Sequence, residues 1–157
     1  MLSALYIPIG YLALVAIPLS IYDLREHRLP NFFTYPAIAF AALALLAVGL
    51  SGEEARSALG ILAGGLTFWV GYLLAKRDLV GMGDIKLLVA SNAILATYSP
   101  VLVVVSLAIA TSLAAVASLF LISLRKITMR TPVAMGPFLL LGFFATLVLA
   151  SPLEASS

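Results

Sequence analysis

The chain of 157 residues is 63% hydrophobic and only 10% charged, against about 25% charged in soluble domains, and its mean hydropathy of +1.16 excludes an ordinary soluble domain. The net charge of +2 comes from basic residues between apolar runs and not from a phosphate-binding face, so no nucleic-acid partner is expected. With no cysteine, disulfides, thiolate zinc sites and a cysteine nucleophile are excluded, and the length suits one domain over residues 1–157 embedded in a lipid bilayer.

Residues 1–22 carry no charge and are long enough to span. A signal peptide would place its positive residues before the apolar core, whereas Arg25 and Arg28 follow it. Pro8 and Pro18 are tolerable inside a bundle. Residues 23–31 read as a compact charged loop in which Pro30 favours a turn and a fresh helix start. The second span is 32–50, and a short polar connection, 51–56, leads to a third at 57–75. Gly60 and Gly64 within it permit close helix contact, with Gly71 further on. Lys76, Arg77 and Asp78 close that span. A fifth, 100–124, carries small residues at Ser106, Ala110, Ala114 and Ser118, again a packing stripe. After the basic run 125–130 comes the sixth span, 133–150, interrupted early by Gly136 and Pro137, and then a polar tail expected to fray. The expected fold is therefore all-α, a polytopic bundle of six transmembrane helices.

The fourth span is the unusual one, because Gly81-Met82-Gly83-Asp84-Ile85-Lys86 brings a carboxylate into membrane-grade apolar sequence. Counting back about 20 residues from Tyr98 starts this helix near Leu79 and puts Asp84 inside the membrane boundary. Ionisable groups there usually mark function. Alternatively, Gly81 and Gly83 form a turn and Asp84 caps the helix that follows.

Orientation follows from the basic residues. Arg25, Arg28, Lys76, Arg77, Arg125, Lys126 and Arg130 stand in the loops after the odd-numbered spans, whereas Arg56 alone stands in those after the even-numbered ones. The positive-inside bias puts the former loops in the cytoplasm and both termini outside. Asp23 and Asp84 then share the cytoplasmic side, where they are expected to converge.

Three segments carry a family resemblance. Gly81-Met82-Gly83-Asp84-Ile85-Lys86-Leu87-Leu88 resembles the Gly-x-Gly-Asp-x-Lys-Leu-Leu signature of type IV prepilin peptidases, membrane aspartic proteases that remove leader peptides from prepilins. Asp23, Arg25, Pro30 and Asn31 are similar to the family's first-aspartate segment, and Gly136-Pro137-Phe138 with Gly142 to its C-terminal Gly-Pro-Phe segment. The resemblance implies a catalytic pair, Asp23 and Asp84, with Gly81, Gly83, Lys86, Arg25, Pro30, Asn31, Gly136 and Pro137 binding substrate or shaping the site. It also implies prepilin-like precursors as partners, in type IV pilus biogenesis and protein secretion, and a place in the prokaryotic inner membrane. The N-terminal insertion with paired Cys-x-x-Cys motifs that accompanies methyl transfer in larger members has no counterpart here. The chain is similar instead to the short peptidases of tight-adherence pilus systems and to preflagellin peptidases. Tyr22-Asp23 also reads like the Tyr-Asp of the presenilin group, but the Asp-x-Arg and Pro-Asn context favours the prepilin group.

The chemistry stands apart from the name. Hydrolysis without a metal or a Ser or Cys nucleophile needs one group to deprotonate water and another to protonate the carbonyl oxygen and then the leaving amine, which a carboxylate pair sharing one proton supplies. No cofactor or metal is expected, since His27 has no second metal-type ligand nearby. Asp78 reads as a loop charge paired with Lys76 and Arg77. Lys86 either extends to the interface or tunes the pair. A different class, a small transporter or proton relay carried by Asp84, is weakened by the lack of an evident inverted repeat.

Overall fold

A computed structural model of the chain describes residues 2–26, 29–124 and 134–154. Its elements are a 3-10 turn, Leu2–Leu5, followed by six helices: α1 Tyr6–Glu26, α2 Asn31–Leu50, α3 Glu54–Ala75, α4 Met82–Tyr98, α5 Pro100–Ser123 and α6 Gly136–Glu154. No strand occurs among the described residues. Four of the helices, the first including the 3-10 turn, are long and apolar enough to cross a membrane. The protein is a multi-pass, all-α membrane bundle.

The helix ends follow from local chemistry. Pro18 and Pro36 stand inside α1 and α2. Pro137 is no interruption, because α6 begins at Gly136 and a proline in the first turn forfeits no intrahelical bond. Between α4 and α5 the extended Ser99 accepts from the Val101 N–H (3.3 Å) and Pro100 opens the next helix. The loop expected at 23–31 is shorter than anticipated. α1 runs on through Glu26 and α2 starts at Asn31, because the Asp23 carboxylate is bonded within the bundle and the helix has no cause to stop before it.

The fourth helix departs most from expectation. It begins at Met82, not near Leu79, and its 17 residues span only about 25 Å, short of a hydrocarbon core of roughly 30 Å. The length rule assumes a helix that faces lipid. α4 instead packs against α2, α3, α5 and α6, and every residue from Ala90 to Thr97 is buried, so its neighbours supply the span. The glycines and small residues of the adjoining helices allow this closeness. A Cβ on Gly60 would collide with Leu45, Ala93 and Thr97, one on Gly71 would lie 2.7 Å from Ile85, and one on Gly142 would lie 2.9 Å from Ala110 of the α5 stripe.

Candidate active site

Asp23 reaches the bundle interior by helix periodicity. The buried positions of α1 are Pro8, Leu12, Val15, Leu19 and Asp23, a single stripe at three- and four-residue spacing whose last member is a carboxylate. At 4% exposure Asp23 is a buried carboxyl group, and such a group requires a hydrogen-bond partner. Its Oδ2 accepts a hydrogen bond from the backbone N–H of Gly136 at 2.7 Å. That N–H belongs to the first residue of α6, where helix donors lack an intrahelical acceptor and the dipole suits an anion.

Asp84 comes from the opposite direction along the chain. It is the third residue of α4, in the first turn and half-buried. Gly81 precedes the helix in an extended conformation, and no side chain caps it, so Asp84 is neither an N-cap nor part of a turn. The two aspartates are close enough for their charges to interact. Both line two adjoining cavities. One, of about 400 Å³, also touches Leu29, Asn31, Gly81, Met82, Gly83 and Lys86. The other, of about 580 Å³, opens toward α5 and α6 and includes Asp78, Thr111, Met135 and Leu139.

The glycines fit tightly around this pair. A Cβ on Gly136 would lie 2.8 Å from Asp23 Oδ2, one on Gly81 3.3 Å from Asp84 Oδ2, and one on Gly83 2.6 Å from the Cβ of Leu29. Leu29, in the α1–α2 connection, is 7% exposed and also lies against Gly136. It therefore wedges the segment after Asp23 against the segments carrying Asp84 and the Asp23 donor. Sequence reading passed over Leu29, since an apolar residue within a charged stretch gives no signal of what it meets.

Lys86 faces α2. Its Nζ donates to Asn31 Oδ1 at 2.6 Å and to the Tyr35 hydroxyl at 3.2 Å, and stands 4.2 Å from the Tyr35 ring centre. Tyr35 was also passed over, although it follows Asn31 by one helical turn, the spacing at which two side chains share a target. Pro30 acts through the backbone, its carbonyl accepting from Phe33 N–H (3.1 Å) at the start of α2. Arg25 is exposed and lines neither cavity, and the same holds for the half-buried Pro137, which opens α6 one residue after the Asp23 donor.

Asp78 contradicts the expected pairing with Lys76 and Arg77. The ion pair among the described residues is Arg56 with Glu53 (3.2 Å), and Lys76 lies over the Tyr72 ring at 4.8 Å. Asp78 stands in the left-handed backbone region at φ +55°, and it lines the larger cavity. His27, Arg28 and the run 125–130 lie outside the described residues. Among those described, no group of three or more His, Cys, Asp or Glu is placed to hold a metal.

Such an arrangement offers a water molecule two carboxylates from different helices, one of them fixed by a backbone donor. It is the composition required for general acid and general base on one substrate. Comparison with known proteins concerns the chain as a whole. The profile of the Type IV leader peptidase family matches residues 10–151. A prepilin leader peptidase/N-methyltransferase of Dickeya chrysanthemi is 32% identical over 130 residues, covering 80% of this chain and 44% of the relative. The chain thus spans less than half the length of that relative. No solved structure matches.

Proposed function

The chain belongs to the type IV leader peptidase family, and from that premise we propose that it is an intramembrane aspartic endopeptidase removing the leader from prepilin-like precursors, with Asp23 and Asp84 as the catalytic pair. The observation that carries this reading is the convergence of both carboxylates, from α1 and α4, on shared cavities.

In the mechanism, one carboxylate takes a proton from water as the oxygen attacks the scissile carbonyl carbon, while the protonated partner gives its proton to the carbonyl oxygen. Collapse of the tetrahedral intermediate breaks the C–N bond: the leaving amine takes the proton held by the first carboxylate, and one hydroxyl of the intermediate returns its proton to the partner as the new carbonyl forms. The proton belongs to the pair as a unit. Gly136 N–H holds Asp23 in place through the cycle, and Leu29 keeps the three chain segments in register. No cofactor enters the sequence of steps.

The reading places this chemistry at the cytoplasmic face of a prokaryotic inner membrane, with both chain termini outside. In support, Lys76 and Arg77 stand at the end of α3 that leads to Asp84, whereas Arg56 lies at the other end, in an exposed pair with Glu53. A precursor with a basic leader and an apolar helix would hold its leader inside by the same preference and present the junction at the depth of the pair. The test is incubation of the purified protein in detergent with such a precursor, followed for a product shortened by the leader. Cleavage by the wild type and none by Asp23→Asn or Asp84→Asn is the expected result. An unaltered rate in either variant would remove that residue from the mechanism.

A further inference from the structure

A third concavity, of about 650 Å³, lies between α2, α3 and α4. It is apolar, with Ala41, Gly64, Ala90 and Ala93 among its lining residues and Leu46 and Ile61 at its open edge, both 59% exposed. The hydroxyl of Ser57, also in the lining, donates to the Leu45 carbonyl at 2.8 Å, so it offers no free donor. Small residues let a helix backbone approach closely. That alone does not say what covers the groove.

Two further observations do. The groove continues the catalytic cavity along one seam. On α2, Asn31 lines the cavity and Ile38 the groove, with Tyr35 between them; on α4, Lys86 lines the cavity and Val89 the groove. About two helical turns on α2 and one on α4 separate the two spaces, and the Lys86 contact with Asn31 and Tyr35 marks their boundary. Length agrees with this. The seam follows α2 from Asn31 to Leu50, 20 residues or about 30 Å, the reach of one membrane-spanning helix.

We propose that this groove is the docking site for the apolar helix of the precursor, which lies along α2, α3 and α4 with its cleavage junction at the Lys86 end, beside Asp84. The proposal rests on the peptidase reading and adds the path of the substrate. It assigns the α5–α6 side of the aspartates no part in holding that helix.

Gly65 provides a clean test. It lines the groove, and a Cβ built on it meets nothing within 4 Å, so Gly65→Phe fills the groove without disturbing helix packing. Gly10 on α1 is equally open and lies elsewhere, which makes Gly10→Phe the control. With a precursor carrying a basic leader and an apolar helix, Gly65→Phe should raise KM roughly tenfold with little change in kcat, the signature of lost binding common to ground and transition states. Gly10→Phe should leave both unchanged. A second measurement is independent of that variant's folding. The chain has no cysteine, so Ile61→Cys in an Asp84→Asn background should form a disulfide with a cysteine in the distal half of the precursor helix, while Val104→Cys, exposed in the corresponding far half of α5, should not. Unchanged KM in Gly65→Phe, as expected if the groove merely holds lipid, would overturn the docking path, and so would cross-linking at residue 104 in preference to 61. Failure of the wild type to cleave any such precursor would instead sink the peptidase reading beneath it.

Discussion

Helices α2 and α3 end in the same way at opposite ends of α3. At the α2 end, Glu53 N–H reaches Val48 O (3.3 Å) and Gly52 N–H reaches Gly49 O (3.1 Å); at the α3 end, Leu79 N–H reaches Leu74 O (3.1 Å) and Asp78 N–H reaches Ala75 O (3.0 Å). Both are the paired bonds that close a helix around one residue in the left-handed region. That residue is Gly52 at φ +90° in the first case and Asp78 at φ +55° in the second. Glycine has no side chain to strain, while aspartate is among the few others that enter this region. Where nothing but folding is at stake, the residue follows the backbone. At the cavity end a carboxylate occupies a position the backbone would assign to glycine. The same contrast recurs throughout: a surface ion pair and a serine cap at the far end, and at the site end a buried aspartate, an ammonium bound to an amide and a ring, and glycines pressed against carboxylates.

The sharpest way to break this contrast is to remove the pair. Asp23→Asn and Asp84→Asn should each lower cleavage by at least about 10³-fold, the upper range for loss of general acid–base catalysis, and the double variant should be no worse than either single one. Additive losses would mean that the two act separately. Next comes Gly136→Ala. Its Cβ would lie 2.8 Å from Asp23 Oδ2, forcing the buried carboxylate aside, and a displacement approaching 1 Å at a reacting group costs about 10²-fold in rate. Gly10→Ala, with open space around it inside α1, should leave the rate unchanged and cost no thermal stability.

A smaller effect is expected at Lys86. Lys86→Met keeps the apolar stem and removes the ammonium that joins Asn31 and Tyr35. Because the contact is partly exposed, a loss of about 1 kcal/mol is reasonable, or about fivefold in kcat/KM, with thermal stability held. If Lys86 serves only to reach the interface, kcat/KM will not move, and Lys86→Arg will behave like the wild type.

Much of the fold was legible in the sequence because apolar runs separated by charged loops leave few arrangements in a bilayer. The six helices, the packing role of Gly60, Gly64 and the α5 stripe, and the approach of Asp23 to Asp84 all followed from periodicity, span length and loop charge. The errors share one cause. Span length and charge pairing are rules for surfaces, and they failed where tertiary contacts replaced lipid or water. α4 is short because other helices surround it, the loop after Asp23 is short because Gly136 satisfies the carboxylate, and Asp78 lines the larger cavity while Lys76 lies over the Tyr72 ring. Leu29 and Tyr35 were illegible for a related reason, since their roles exist only once segments distant in the chain are adjacent.

The comparison between Gly52 and Asp78 yields the smallest and most discriminating prediction. If the carboxylate at 78 is tolerated merely because aspartate accepts left-handed backbone, Asp78→Gly should relieve strain and stabilise the protein by about 0.5–1 kcal/mol, with cleavage unchanged within about twofold. Gly52→Asp, the reverse exchange, should destabilise by a similar amount. Both are read by thermal unfolding in detergent. Asp78, however, lines the cavity that holds Asp23 and Asp84, and a third carboxylate there adds negative charge that a basic leader would meet on entry. Asp78→Asn separates the two effects, since it keeps the backbone preference of an Asx residue and removes the charge. A rise in KM for Asp78→Asn, weakening as salt is raised, would assign the carboxylate to leader capture. Equal KM for Asp78→Asn and the wild type, with Asp78→Gly more stable than either, would leave the helix-closing turn as its whole role.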